Sequence, residues 1–293
     1  MSASAPTLAH ARRRRLRRRW TDGLGWTVSA AAFLLLGAAT VSIFWAIAAR
    51  GVHALNWSML TQVTQGAGGG LLNAIEGTLL LALGGLVLAV PPGVAAGIFL
   101  AEFGASRFAP LLRFMSDVLV GVPSIVVGYF VYILAVLDLG WGFSALAAAI
   151  ALAIICLPYI TRTSEMAFRQ VPPEMRDAAR ALGATDSHVI LGICLPTAAS
   201  GVVTGILLAL AISVGETAPL LYTAGWSNYM WTGQLTHEPV AYLTYAIWAF
   251  ITEPFQSAHA LAYAAALLVS ALVLAIGIVS RLLTGASHRS PGH

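Results

Sequence analysis

No lysine occurs in this chain of 293 residues; all sixteen of its basic side chains are arginine. That absence removes the lysine of a phosphate-binding P-loop and excludes any lysine Schiff base or catalytic lysine. Charge of both signs is scarce: 10% of residues are charged and 58% are hydrophobic. A soluble domain has roughly a quarter of its residues charged. A chain so short of charge cannot clothe its surface in water, and a lipid bilayer is the apolar solvent it needs. Cysteine is nearly absent. Cys156 and Cys194 lie within or beside apolar segments, form no C-x-x-C pair and read as small buried residues. The seven histidines are scattered without metal-ligand spacing. No paired carboxylates or nucleophile–base pair mark an enzyme, so no metal, cofactor or catalytic residue is assigned.

What is present is a set of uncharged stretches long enough to span a bilayer, for which ~20 residues suffice. There are six: Gly23–Ala49, Gly77–Ala101, Val118–Leu137, Leu139–Thr161, Val189–Gly215 and Phe255–Ser280. The first has 27 residues, too many for the ~7–15 of a signal-peptide core, and reads as a retained anchor. With both termini on the cytoplasmic side, fifteen of the sixteen arginines fall inside, as the positive-inside rule demands; only Arg50 falls outside. The expectation is an all-α integral membrane protein with six helices, N-in and C-in. Its transmembrane domain runs from 23 to 283, between cytoplasmic tails 1–22 and 284–293. The net charge of +4 gathers at the first tail, where seven arginines lie between Arg12 and Arg19. That points to anionic lipid headgroups, not nucleic acid. Val240–Thr252 is too short to span and reads as an interfacial or re-entrant helix, amid Trp226, Trp231, Trp248, Tyr222, Tyr229, Tyr242 and Tyr245.

The longest inner loop, Arg162–Pro196, is written as two helices joined by a turn. Pro173 suits a first helical turn, with Glu174 favourably placed against the helix dipole. Met175, Ala178, Ala179 and Leu182 recur at helical spacing. Gly183 stands where helices end in the left-handed conformation. Asp186 is placed to cap the next helix, and Pro196 opens the fifth span. Asp177-Ala178-Ala179, Gly183, Ile193, Leu195 and Pro196 resemble the EAA loop of importer-type ABC permeases, departing only in aspartate for glutamate. That resemblance implies a cytoplasmic dock for an ATPase.

Three more segments narrow the resemblance. They are Gly69-Gly70 with Asn73-Ala74-Ile75 and Gly77-Thr78, then Gly121 through Gly128, and Gly215-Glu216-Thr217-Ala218-Pro219-Leu220-Leu221. With Arg162-Thr163, they resemble PstA-type permeases of phosphate importers over about 69–283. Pro123 and Pro219 read as kinks in apolar helices. Gly121, Ser124, Ile125 and Gly128 share one face of such a helix, which is either a packing kink or a bend that lines a path. Glu216 reads either as an interface carboxylate or as a partner for an arginine that meets phosphate. Arg162 reads as an inside anchor, and by resemblance as part of the phosphate path; guanidinium suits phosphate through its paired donors. Asp117 reads as a helix-start residue. Ser124, Arg162, Glu216 and Thr217 are thus the candidate path. The family pattern leads one to expect an arginine where Ile212 stands. The resemblance implies a type I ABC importer permease in the bacterial inner membrane. Its implied partners are a PstC-like second permease, a PstB-like ATPase dimer that binds the ATP, and an extracytoplasmic phosphate-binding protein. A permease for phosphonate, molybdate or sulfate, or an ATP-independent secondary transporter, are the rival readings.

Overall fold

The structure, a computed structural model, describes residues 8–287, with side chains from Thr21 to Leu283. The side chains of the arginine run and most of the second tail therefore lie outside the described residues. The chain forms two compact units, Met1–Arg50 and Gly51–His293. The described residues of the first are helix throughout, part of α1 (Leu8–Ala54), which contains the first expected span.

In the second unit, α2 (Trp57–Thr61) is capped by the Asn56 side chain. A two-stranded hairpin follows, β1 (Thr64–Gln65) against β2 (Gly68–Gly69), with Thr64 opposite Gly69. Then come α3 (Leu72–Glu102), α4 (Ala109–Gly121), and α5 (Ser124–Val131), which continues as π-helix to Asp138. Next is α6 (Ala145–Arg169), followed by α7 (Pro173–Ala181) and α8 (Asp186–His188), which runs through π-helical Val189–Cys194 into α9 (Leu195–Gly215). Short helices α10 (Ala218–Thr223) and α11 (Leu243–Phe250) precede α12 (Gln256–Ser287). Among the described residues, five helices are long and apolar enough to cross a membrane, and a sixth span exists only if α4 and α5 count as one.

The most extensive packing is between α3 and α6, and small residues make it possible. A Cβ at Gly85 would lie 2.8 Å from the Leu152 Cβ, and one at Gly93 would lie 2.9 Å from Ile160 Cγ2. At Gly97 it would collide with Ser164. Helices in lipid gain little from apolar burial against one another, so close backbone approach through small residues is what holds them. On the other flank, α12 packs on α9 and α11. The segment 223–242 is tied to the loop before α6 and to the first turn of α6: Ser144 N donates to Thr223 O, His237 N to Trp141 O and Leu146 N to Leu235 O.

Several expectations about the elements need correction. The third span is not one helix. It breaks at Val122–Pro123, where α4 and α5 meet at 100°, because Pro123 holds an extended backbone (ψ 133°) and supplies no N–H to continue α4. Gly121 and Gly128 therefore do not share a helix face. The fourth span begins at Ser144, whose hydroxyl caps it, not at Leu139, and it runs on to Arg169. Arg162 thus sits two turns inside α6 instead of ending it, and Asp117 sits inside α4 instead of starting a helix. Pro219 kinks nothing: the chain leaves helix at Glu216, and Pro219 lies in the first turn of α10, where a missing N–H costs little. Thr185, not Asp186, caps α8, accepting from His188 N. The short helix expected within Val240–Thr252 is present as α11, and Tyr242 before it is fully buried.

Candidate translocation path and coupling site

Glu216 occupies the break between α9 and α10. Its backbone is extended (φ −70°, ψ 138°), so it leaves the helical register that would have set it beside position 212. Its N–H donates to Ser213 O at 3.2 Å, and its carbonyl accepts from Thr244 Oγ1 at 2.7 Å. Its carboxylate meets the hydroxyl of Ser124, the first residue of α5. The two breaks lie side by side because α5 and α10 are in van der Waals contact; a Cβ at Gly128 would overlap the Pro219 backbone. Thr217 follows as the N-cap residue of α10, with no capping bond from its side chain. A narrow crevice next to Glu216 is lined by Thr78, Leu152, Ser213, Tyr242 and Thr244. Freed backbone groups and an unpaired carboxylate are tolerated at membrane depth only inside protein or against a wet path. The buried Tyr242 hydroxyl in that crevice has no hydrogen-bond partner among the described residues.

Arg162 does not join this group. Leu152 lines the Glu216 crevice, and Arg162 lies ten residues further along α6, roughly 15 Å away at 1.5 Å per residue. There it pairs with Asp117 of α4 and reaches Glu165 Oε2 at 3.4 Å. Glu165 is the hub of this second site. Its other oxygen takes Arg113 Nε at 3.1 Å and Arg169 Nη2 at 2.9 Å, and its side chain is 6% exposed. Arg113 also donates to Leu100 O, at the end of α3. Sequence reasoning passed over Glu165, although its spacing from Arg162 (three) and Arg169 (four) is that of neighbours on a helix. It was hidden by ending the fourth span at Thr161.

The inner loop folds much as its sequence indicates. Pro173 stands in the first turn of α7 and Glu174 beside it. Gly183 adopts φ +85°. Its N–H bonds Arg180 O, while Ala184 N bonds Ala179 O, the paired closure that a left-handed glycine allows. The expected apolar face divides: Ala179 is buried, while Met175, Ala178 and Leu182 are exposed, Leu182 at 89%. Ile193 is partly buried in the π-helical turn, and Leu195 and Pro196 open α9. Asp177 points outward, 3.8 Å from Arg180.

A bundle of long apolar helices interrupted by two adjacent breaks, with a folded helix pair hanging from it, is the architecture of a multi-pass transport subunit. The model of the binding-protein-dependent transport system inner membrane component matches residues 93–289, and the chain belongs to that family. It is 44% identical over 273 residues to "Phosphate transport system permease protein PstA 2" of Mycobacterium bovis, covering 93% of this chain and 91% of that protein. It is 41% identical to the PstA of Yersinia pestis over 85% of this chain and 88% of the other, and 40% identical to that of Haemophilus influenzae. Among solved structures, an inward-facing form of the MetNI methionine ABC transporter superposes with a TM-score of 0.59 at 17% identity, over 79% of this chain and 96% of the other. A second crystal form superposes with a TM-score of 0.54. These share the fold of an ABC importer permease.

Proposed function

We propose that this chain is the transmembrane permease subunit of an ATP-driven phosphate importer. The observation that carries this is the identity of 37–44%, over most of the chain, with permeases named for phosphate transport. Two breaks meeting at Ser124 and Glu216 support a path there, and the exposed face of α7 supports a dock for an ATPase. In this reading a PstC-like permease completes the path, and a PstB-like ATPase dimer binds ATP and grips the inner loop through Asp177, Ala178, Ala179 and Gly183. An extracytoplasmic phosphate-binding protein delivers substrate. The complex sits in the bacterial inner membrane with both termini inside, and the arginine-rich tail lies against anionic lipid. ATP hydrolysis belongs to the partner chain.

Glu216 carries the same sign as phosphate and so does not bind it directly. Its role is to hold a cation that phosphate then takes over, as guanidinium does well. Ile212 leaves no such cation one turn back on α9, so the arginine comes from the second permease and Glu216 works across the subunit interface. Permeases for other oxyanions use the same architecture, and competition separates them. Proteoliposomes holding the assembled importer should accumulate radiolabelled phosphate on ATP addition, and excess sulfate, molybdate or phosphonate should leave uptake intact. Equal competition by any of these would replace phosphate as the substrate. Uptake persisting without the ATPase would restore the secondary-transporter reading. Gly183→Val should abolish uptake, because a β-branched residue costs roughly 1–2 kcal/mol or more in the left-handed conformation found there. Wild-type uptake by that variant would refute the docking role.

A further inference from the structure

Arg176 and Glu102 form a largely buried ion pair that the path and the dock leave unused. Arg176 lies in the middle of α7, and Glu102 is the last residue of α3. The two approach to 2.9 Å, with side chains 18% and 7% exposed. The same Arg176 Nη2 donates to Phe168 O in the last turn of α6 at 2.6 Å. Among the described residues neither Arg176 Nε nor Glu102 Oε1 makes a hydrogen bond, so the two side chains are held as an ion pair, and Nη2 makes both the contact with Glu102 and the bond to Phe168. Ala179, one turn on, inserts between Phe168, Val171, Val189 and Val202, with Ile98 and Ala101 of α3 packed against them.

Stability alone is a poor account of this pair, since a buried ion pair is often matched or bettered by apolar side chains of the same volume. Its position is more informative. By chain connection, α7 is tied to α6 before it and α8 after it; α3 is remote in sequence. Yet α3 carries Thr78, Leu81 and Ala82, which line the Glu216 crevice, and Thr78 Oγ1 accepts from Leu243 N at 2.9 Å. Between Thr78 and Glu102 runs one continuous helix, roughly 36 Å long at 1.5 Å per residue. We infer that the Arg176–Glu102 pair is the strut that passes displacement of α7 into α3, and through α3 to the Glu216 crevice. Arg176 and Glu102 are thus positioning residues for transport. This rests on the reading of α7 as the ATPase dock.

The test uses the assembled importer in proteoliposomes, reading three quantities: ATPase retained on purification, ATP hydrolysed, and phosphate accumulated per ATP. Arg176→Gln and Glu102→Gln should each keep the ATPase bound and hydrolysing while phosphate per ATP falls about tenfold, within the range seen when a coupling residue is changed. The double variant should be no worse than either single one, because both remove the same link. Arg176→Lys keeps the charge, but its shorter reach and compact ammonium do not reproduce the placement of Nη2 between Glu102 and the Phe168 carbonyl, so phosphate per ATP should fall by a smaller factor with normal accumulation in the membrane. A merely structural pair would change membrane accumulation and leave phosphate per ATP alone. A wild-type ratio in Arg176→Lys and in the double variant, or losses that multiply in the double, would overturn the strut. Failure of the unaltered chain to retain the ATPase would instead sink the docking reading and this one with it.

Discussion

Two carboxylates in this chain keep different company, Glu165 buried and Glu216 half-buried. Glu165 has three arginines on it, and one of these, Arg162, is tied further to Asp117. Glu216 has a single hydroxyl, from Ser124, and an arginine nowhere among the described residues that meet it. The first site is electrostatically closed within one chain. The second is left open at a point where two helices are broken. A protein that maintains an unpaired carboxylate at membrane depth bears a cost that a glutamine would avoid. Closure therefore marks a site that holds the fold, and openness marks one that waits for a partner. Removing the closed hub should have the largest effect on stability. Glu165→Ala leaves three arginines facing one another, and breaking a buried pair costs about 3–5 kcal/mol. Arg162 and Arg169 are partly exposed, which places this variant at the low end, about 3 kcal/mol. Thermal unfolding of the detergent-purified chain should show a large fall. An unchanged midpoint would mean that the hub is no more structural than Glu216.

Glu216→Gln should do the opposite. The amide still accepts from Ser124, so unfolding should shift little, while phosphate uptake by the assembled importer should fall at least about tenfold, the factor that 1.4 kcal/mol of lost interaction represents. Replacing the partner permease's facing arginine by glutamine should give the same loss, and combining the two changes should add nothing. Independent, multiplying losses would show that Glu216 has no such partner. Normal uptake in Glu216→Gln would reduce it to an interface carboxylate and erase the contrast with Glu165.

The closed site was the harder of the two to read from sequence, for a physical reason. Glu216 stands out because it follows a long uncharged run, and the proline and glycine residues around it announce broken helix. Glu165 sits among arginines that look like ordinary inside anchors, and nothing local says that Arg113, fifty-two positions earlier, returns to it. The same limit hid Glu102, whose partner lies in another helix. Local punctuation was legible wherever its cause is local: Gly183 in the left-handed turn, Pro173 in the first turn of α7, the short helix within Val240–Thr252. Composition and spacing placed four spans well and found a fifth, α6, with both ends shifted. They failed where a proline was expected to bend a helix and instead ended it, at Pro123, or began a new one, at Pro219. A kink and a break differ only in whether packing nearby satisfies the freed backbone groups. Here the neighbours that do so, such as Thr244 on the Glu216 carbonyl, come from far along the chain.

The edge of the closed site should matter less than its hub. Asp117 is 59% exposed and Arg162 is 40% exposed, so Asp117→Asn should cost no more than ~1 kcal/mol, and less in high salt. Denaturation of the purified chain at two ionic strengths checks this. A loss as large as that of Glu165→Ala would make Asp117 part of the hub.

The smallest effect is expected at the open site. Tyr242 is buried with its hydroxyl unpartnered, in the crevice that Glu216 also lines. An unmade hydrogen bond in a buried position costs about 1–3 kcal/mol, so removing the hydroxyl should be neutral or slightly stabilising in this conformation. Tyr242→Phe keeps the ring and its edge contact with Tyr245 at 5.7 Å. The midpoint of thermal unfolding should therefore stay or rise by a degree or two, since about 1 kcal/mol moves a domain of this size by about 2–4 °C. Transport supplies the sharper reading. A hydroxyl held without a partner in one state is free to donate to Glu216 when α9 and α10 shift, and a two-state mechanism that uses it then loses that bond in Tyr242→Phe. Uptake should fall about two- to fivefold, the equivalent of one ordinary hydrogen bond of about 0.5–1 kcal/mol, with stability untouched. A fall in stability would show that the hydroxyl is bonded in the resting fold. Unchanged uptake would show that the crevice keeps its shape through the cycle, and that Glu216 takes its partner only from outside the chain.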